Sequence, residues 1–310
     1  MPIAQNSRKL VSYVEENTFG VTPTTPTFIA LPVNTFQLVL EKGIIENNEI
    51  RPDEMHRFQR HGDRTVSGDM AADLRKADFD PFLEAVMRSS WSTNTLKVGT
   101  DPKYFSIEEG SLDIDQYKLY TGVTVNTLGI SATAGDNSPI SATFGLMGRD
   151  MAAPADSTAA DTLTPASSNE PFDHYAGNGF RLADQGGSLA GMCVTSFELN
   201  IDRGYETRYC IGENTSKDFI SGMANIEGSF TAYFEDESLI NRFLDETATA
   251  LEFQAGFGSD IMTFLLPNVR LNSANNGVSG NTGANLVEVS FKALYDATEE
   301  SSLVITRPAP

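Results

Sequence analysis

The chain has 310 residues, 40% of them hydrophobic, and a formal net charge of −20. That length permits two domains with cores of their own, while the charge argues against a protein that grips nucleic acid, which needs Lys and Arg to displace counterions. No run approaches the roughly 18 apolar residues of a membrane helix, and the opening MPIAQNSRKLVSYVEENTFG lacks the apolar core of a secretory signal.

Residues 1–32 read as an extended N-terminal arm. Leu10–Glu15 suits a short strand or a helical turn, and Pro23, Pro26 and Pro32 then favour extended backbone. Thr35–Glu46 alternates, with Phe36, Leu38 and Leu40 on one face and Gln37, Val39 and Glu41 on the other. That is the period of a half-buried strand. Asn47–Asp63 follows as a long polar loop holding Arg51, Arg57 and Arg60, Glu49, Asp53 and Glu54, and the apolar Met55 and Phe58. Both signs of charge and two apolar anchors suit a docking loop. His56 and His61 lie in it without a cysteine partner and make a poor metal site.

Asp80-Pro81 opens a helix, with Asp80 at the cap and Phe82, Leu83, Val86 and Met87 on one face. Strands are expected over Lys103–Ile114 and Gly122–Arg149, the latter a hairpin turning at Ala134–Pro139. Residues 150–170, rich in Ala, Ser, Thr and Pro, read as a linker or surface excursion.

Ser196–Phe234 then repeats Thr35–Leu74. SFELNIDRG stands where TFQLVLEKG stood, and a polar loop leads in both to a glycine, Gly68 or Gly228, before another alternating run. Phe36 to Gly68 is 32 positions and Phe197 to Gly228 is 31. A short helix follows each, the second opening at Ser238 with Leu239, Ile240, Phe243 and Leu244. Such recurrence indicates internal duplication. Ile261–Leu271 and Leu286–Tyr295 are further strands around a Gly/Asn-rich loop, and SLVITRPAP forms a β-prone tail. Cys193 and Cys210 flank the second copy's first strand and are expected reduced and inert.

The fold expected is mainly β: two duplicated β-sandwich or barrel-like domains, each with one packed α-helix. Their bounds are 33–150 and 191–296, with an arm at 1–32, a linker at 151–190 and a tail at 297–310. No P-loop, dinucleotide fingerprint, nucleophile elbow or HExxH occurs. His174 beside Asp173 is not part of any recognisable triad, and the acids are too many to single out a catalytic pair. The reading is a protein without catalysis, cofactor or metal.

YVEENTFGVTP, LPVNTFQLVLEKG, SGDMAADL, YTGVTVNTLGISATAG and ISATFGLMGRD resemble the tail tube (major tail) proteins of long-tailed bacteriophages, over about Tyr13–Tyr295. The resemblance implies stacked rings whose strands line a DNA-conducting lumen, in the virion tail after synthesis in the host cytoplasm. It implies tape-measure and tail terminator proteins as partners, DNA that passes without tight binding, and no membrane anchor. Single-domain members form six-fold rings. A chain with two copies would complete such a ring with three subunits, a homotrimer of pseudo-six-fold appearance; without the repeat, a homohexamer is expected. Glu41, Asp69, Glu198, Asp202 and Glu288, on the hydrophilic phase of alternating strands, are the lumen candidates. Arg57, Phe58 and Arg60 are candidates for ring-to-ring contact, helped by the arm and the tail. The competing reading is a β-sandwich binding module, an adhesin or carbohydrate-binding domain. Against it, the single Trp91 follows a helix, where core packing outweighs sugar stacking.

Overall fold

The structure, a computed structural model, describes residues 3–159, 162–277 and 282–309. Strands take up 51% of it and helices 6%, so sheets supply the layers and helices only close their ends. The first copy runs β1 (Lys9–Glu15), β2 (Phe28–Ala30), β3 (Thr35–Glu46), β4 (Gln59–Asp73), α1 (Asp80–Met87), β5 (Thr95–Lys97), β6 (Phe105–Ser111), β7 (Gln116–Thr133), β8 (Ser141–Gly148) and β9 (Asp150–Ala152). After β10 (Leu163–Thr164) come β11 (Phe180–Asp184), β12 (Ala190–Gly191), β13 (Val194–Asp202), the hairpin β14 (Glu206–Arg208) and β15 (Asp218–Ile220), and β16 (Asn225–Tyr233). The chain ends through α2 (Ser238–Leu244), β17 (Thr249–Phe257), β18 (Asp260–Asn275), β19 (Leu286–Ala293) and β20 (Val304–Thr306).

The two copies repeat one pairing order. In the first, β3 pairs β4, β4 pairs β8 and β8 pairs the second half of β7, whose first half leaves the sheet to pair β6, backed by β1. In the second, β13, β16, β19 and β18 follow in the same order, and the first half of β18 pairs β17, backed by β11. Register agrees residue by residue. Leu38 faces Gly68, which faces Leu146; Leu199 faces Gly228, which faces Phe291. Even the bulges correspond: the ladder skips Asn126 between Val125 and Thr127, and Asn272 between Leu271 and Ser273. These are sheets and not a closed barrel.

Each copy packs aromatics between its layers. Phe82 of α1 lies 4.9 Å from Phe105, 5.1 Å from Tyr13 and 5.8 Å from Phe144, ring centre to ring centre. Phe197 lies 4.6 Å from Phe253 and 6.4 Å from Phe291. Burying one such side chain contributes about 1.5–3 kcal/mol.

The copies are joined twice. Strand β13 pairs β7 from Ser196↔Thr133 to Asp202↔Thr127, so one sheet runs through both copies. Strand β20 lies between β18 and β5, with Ile305 facing Phe264 on one side and Leu96 on the other. Arg307 beyond it pairs with Asp80 and sits 4.4 Å over the Trp91 ring. Burial pushes the Asp80 carboxyl upward, with Glu84 and Asp78 adding to that; the Arg307 partner offsets part of it.

Several segments differ from the sequence expectation. Of the two readings of Leu10–Glu15, the strand is the one that forms, because β1 finds a full-length partner in β6, Lys9↔Ser111 through Glu15↔Phe105; the arm also holds β2, which the sequence did not mark. Residues 151–190 are laced onto the sheets: Phe172 is buried, exchanges backbone hydrogen bonds with Ile140 and Leu74, and leads to β11. The loop expected over Asn47–Asp63 is shorter, because Ile44↔His61, Ile45↔Arg60 and Glu46↔Gln59 extend the β3–β4 ladder into a projecting hairpin. Asp80 is the first residue of α1 and makes no capping bond, its carboxyl being taken by Arg307. In α2 only Leu239 is buried, and Leu244 is exposed. Residues 272–275 of the Gly/Asn-rich loop belong to β18; 278–281 lie outside the described residues. The C-terminal tail is a wedge within the chain, with Leu303 and Ile305 buried.

Candidate functional site

The sheet β3–β4–β8–β7–β13–β16–β19–β18 has one face in the core and one in solvent. Because side chains alternate, register decides which residues share the open face. One row across it reads Gln37, Asp69, Gly145, Thr127, Asp202, Asn225. Another reads Ser131, Glu198, Ser229, Ser290, Ser273. A third joins Ser196, Thr231, Glu288 and Asn275. Glu41 faces Thr65 on the same side as Gln37. All five acids singled out in the sequence therefore stand on one face. Asp73 and Glu227 add to them, and the cations Arg270 and Lys292 lie at its far end, Lys292 facing both Glu227 and Arg270. The result is a broad, open surface on which acidic and small polar side chains predominate.

Its two ends are open. Among the described residues, β3 pairs only with β4, and beyond Val269 β18 pairs only with β19. Covered and uncovered edges differ in burial. Phe197 and Ile201 of β13 are 2% and 1% exposed, whereas Phe36 and Leu40, their counterparts in β3, are only partly buried and Val39 is 54% exposed.

Arg57, Phe58 and Arg60 lie away from this face, on the β3–β4 hairpin. Arg57 pairs with Asp53 inside the loop, Phe58 is 63% exposed, and Arg60 faces Ile45 across the ladder. Ile44, Ile50 and Met55 are also exposed there. Exposed apolar residues gathered on one projection mark a contact surface. His56 Nδ1 lies 3.5 Å from the Asn47 carbonyl and His61 faces Ile44. Among the described residues, no group of three or more His, Cys, Asp or Glu is arranged to hold a metal. No helix there is long and apolar enough to cross a membrane. Cys193 and Cys210 are free and exposed.

The model of a family described as phage tail tube protein matches residues 6–293. The chain belongs to that family. This tail tube protein is accordingly a structural component of the virion tail, and the family builds a tube by self-assembly with other tail components. No curated protein matches its sequence.

Sequence reasoning overlooked the two bulge residues of the tube protein. Asn126 O accepts the Arg203 N–H at 2.9 Å and its side-chain Oδ1 accepts the Tyr205 N–H at 2.9 Å, fixing the end of β13 to β7. Asn272 holds the same position in the second copy and is exposed. The signal was Val125-Asn126-Thr127 against Leu271-Asn272-Ser273, two apolar-Asn-hydroxyl triplets in equivalent strands.

Proposed function

We propose that three chains close head to tail into a ring of pseudo-six-fold symmetry, and that the open acidic sheet face becomes the wall of a DNA-conducting lumen. The observation that carries this reading is the in-chain junction of β13 with β7, set beside the open edges of β3 and β18. A closed ring joins unlike patches by one repeated operation. Here that operation is already performed once inside each chain, and the same two patches remain free at its ends. Glu41, Asp69, Glu198, Asp202 and Glu288 would line the lumen, where uniform negative potential keeps the phosphate backbone off the wall. Rings would stack through the β3–β4 hairpin, with Arg57 and Arg60 meeting acids of the next ring and Phe58 as apolar anchor. Tape-measure and terminator proteins would meet the tube's lumen and end.

Native mass measurement of isolated rings tests the stoichiometry. Three full-length chains per ring are expected; six would overturn the three-fold reading, and dispersed monomers at high concentration would overturn ring formation itself.

A further inference from the structure

We infer that β18 beyond Leu271, with Asn272 at its start, is the seat for β3 of a second copy of this chain, in a register dictated by the in-chain junction. The inference rests on the ring reading above and adds which residues meet.

The template is β13 on β7. There Asp202 faces Thr127, Asn200 faces Gly129 and Leu199 faces Ile130. The matching ladders equate Leu199 with Leu38 through Gly228 and Gly68, and Thr127 with Ser273 through the bulges. Transferred, Glu41 of one chain faces Ser273 of the next, Leu40 faces Ala274 and Val39 faces Asn275. Backbone polarity agrees. In an antiparallel strand alternate residues turn both N–H and C=O to one side. The Arg203 N–H points at β7, so Ile201 and Leu199 do too, and their counterparts Lys42, Leu40 and Leu38 point from β3 to its open edge. Among the described residues, the Leu38 carbonyl is met by the hydroxyl of the buried Tyr120 at 2.6 Å.

Asn272 supplies the lock. Lys42-Gly43-Ile44 stands where Arg203-Gly204-Tyr205 stands. The Asn272 carbonyl would accept the Lys42 N–H as that of Asn126 accepts the Arg203 N–H, and its Oδ1 would reach the Ile44 N–H as Asn126 Oδ1 reaches Tyr205 once Gly43, extended in the single chain, takes the φ of +55° that Gly204 holds. Seating β3 in this way also covers Phe36 and Leu40, whose counterparts Phe197 and Ile201 are buried where β13 meets β7. An exposed strand edge otherwise invites unspecific pairing; a side-chain lock at one end of the ladder fixes a single register.

The test is disulfide trapping in the full chain with Cys193 and Cys210 replaced by Ser. Val39→Cys with Asn275→Cys should link chains covalently within assembled rings, since facing residues on antiparallel strands are at bridging distance. Gln37→Cys with Asn275→Cys, a register slipped by two, should stay unlinked. Asn200→Cys with Gly129→Cys should close within one chain and serves as the folding control. Asn272→Ala should raise the concentration needed for half-assembly about thirtyfold, the equivalent of one good hydrogen bond at each of three junctions. Rings of three that link through the slipped pair, or through neither, overturn this register while leaving the ring intact. If the control pair closes but no rings form, the ring reading falls and this inference with it.

Discussion

The side-chain oxygen of Asn126 accepts the backbone N–H of Tyr205 at 2.9 Å, tying a loop of the second copy to a strand bulge of the first. Beyond that bond, Tyr209 donates to the Arg64 carbonyl at 3.0 Å and Phe219 sets its edge against Phe19, 5.3 Å between ring centres. The joint between copies is thus polar at its core and aromatic at its flank, and it begins at one asparagine.

Asn126→Ala should therefore destabilise the isolated chain by about 1–3 kcal/mol, the cost of leaving a partly buried N–H unpaired. Asn272→Ala should leave that stability unchanged, because the side chain is exposed there. Thermal denaturation of dilute protein separates the two, and an equal drop in both would contradict the assignment of the joint.

Gly68 and Gly228 mark close approach of strands. A Cβ at Gly68 would lie 1.8 Å from the Gln37 carbonyl oxygen, and one at Gly228 2.2 Å from that of Glu198. Alanine at either position forces backbone apart and should cost about 1–3 kcal/mol. Gly191→Ala, with nothing within 4 Å, should be silent. Denaturant melts that fail to separate these variants would remove the steric explanation for the repeated glycine.

The repeat was readable because Phe36, Leu38 and Leu40 against Phe197, Leu199 and Ile201 alternate over solvent, which is the pattern one wet face imposes. Strand β17 was not, since Thr249 to Gly256 is buried on both faces and alternation vanishes. Its Glu252 even reads as a surface residue, although it is buried against Arg181, whose Nε lies 3.0 Å away. Sequence alone leaves Leu10–Glu15 open between a strand and a helical turn, because the partner of β1, β6, lies about a hundred residues on, a pairing that local pattern does not encode. The acids of the candidate site followed from phase alone. The edges and Asn272 did not, because an open edge is defined by neighbours in space.

Arg307 and Asp80 hold the C-terminal wedge against α1. Arg307→Met should cost about 3–5 kcal/mol at neutral pH, mostly by stranding a buried carboxylate. Asp80 already binds its proton more tightly folded than unfolded, and losing its partner strengthens that preference. A carboxyl raised in the folded state adds stability below its unfolded value and loses it as pH rises through the folded one. The variant's deficit should accordingly shrink as pH falls from 7 toward 4, where Asp80 takes up a proton. Melting temperatures of both proteins across that range check it; a deficit independent of pH would assign the loss to the Arg307–Trp91 stack instead.

Replacing Glu41, Asp69, Glu198, Asp202 and Glu288 with Lys should preserve folding and ring assembly, since these side chains stand on the open face. It should convert a wall that repels phosphate into one that retains it, with retention falling as salt rises. Ejection rates of DNA from particles carrying the variant are the measurement. Normal rates without added salt sensitivity would mean that the acidic face is not the lumen.

The hairpin separates ring closure from ring stacking. Its ladder ends at Glu46↔Gln59, and the tip beyond carries ion pairs of its own, Arg57 with Asp53 and Arg51 with Glu49. Such exposed pairs contribute about 0–1 kcal/mol each, so removing Ile50–Arg57 and closing the turn with Gly-Ser should leave the melting temperature nearly unchanged. Ring closure should also survive, because β3 as far as Lys42 and the edge of β18 are untouched. Stacking should not: the deletion removes Arg57, Met55 and Ile50 and shifts Phe58, the groups that reach farthest from the sheet. Electron microscopy should show single rings where the parent chain gives tubes, and tubes of normal length would move the inter-ring contact elsewhere. Loss of the rings themselves would instead mean that the tip seats on the neighbouring chain of its own ring, as residues 203–224 of the second copy seat on Arg64 and Phe19 of the first.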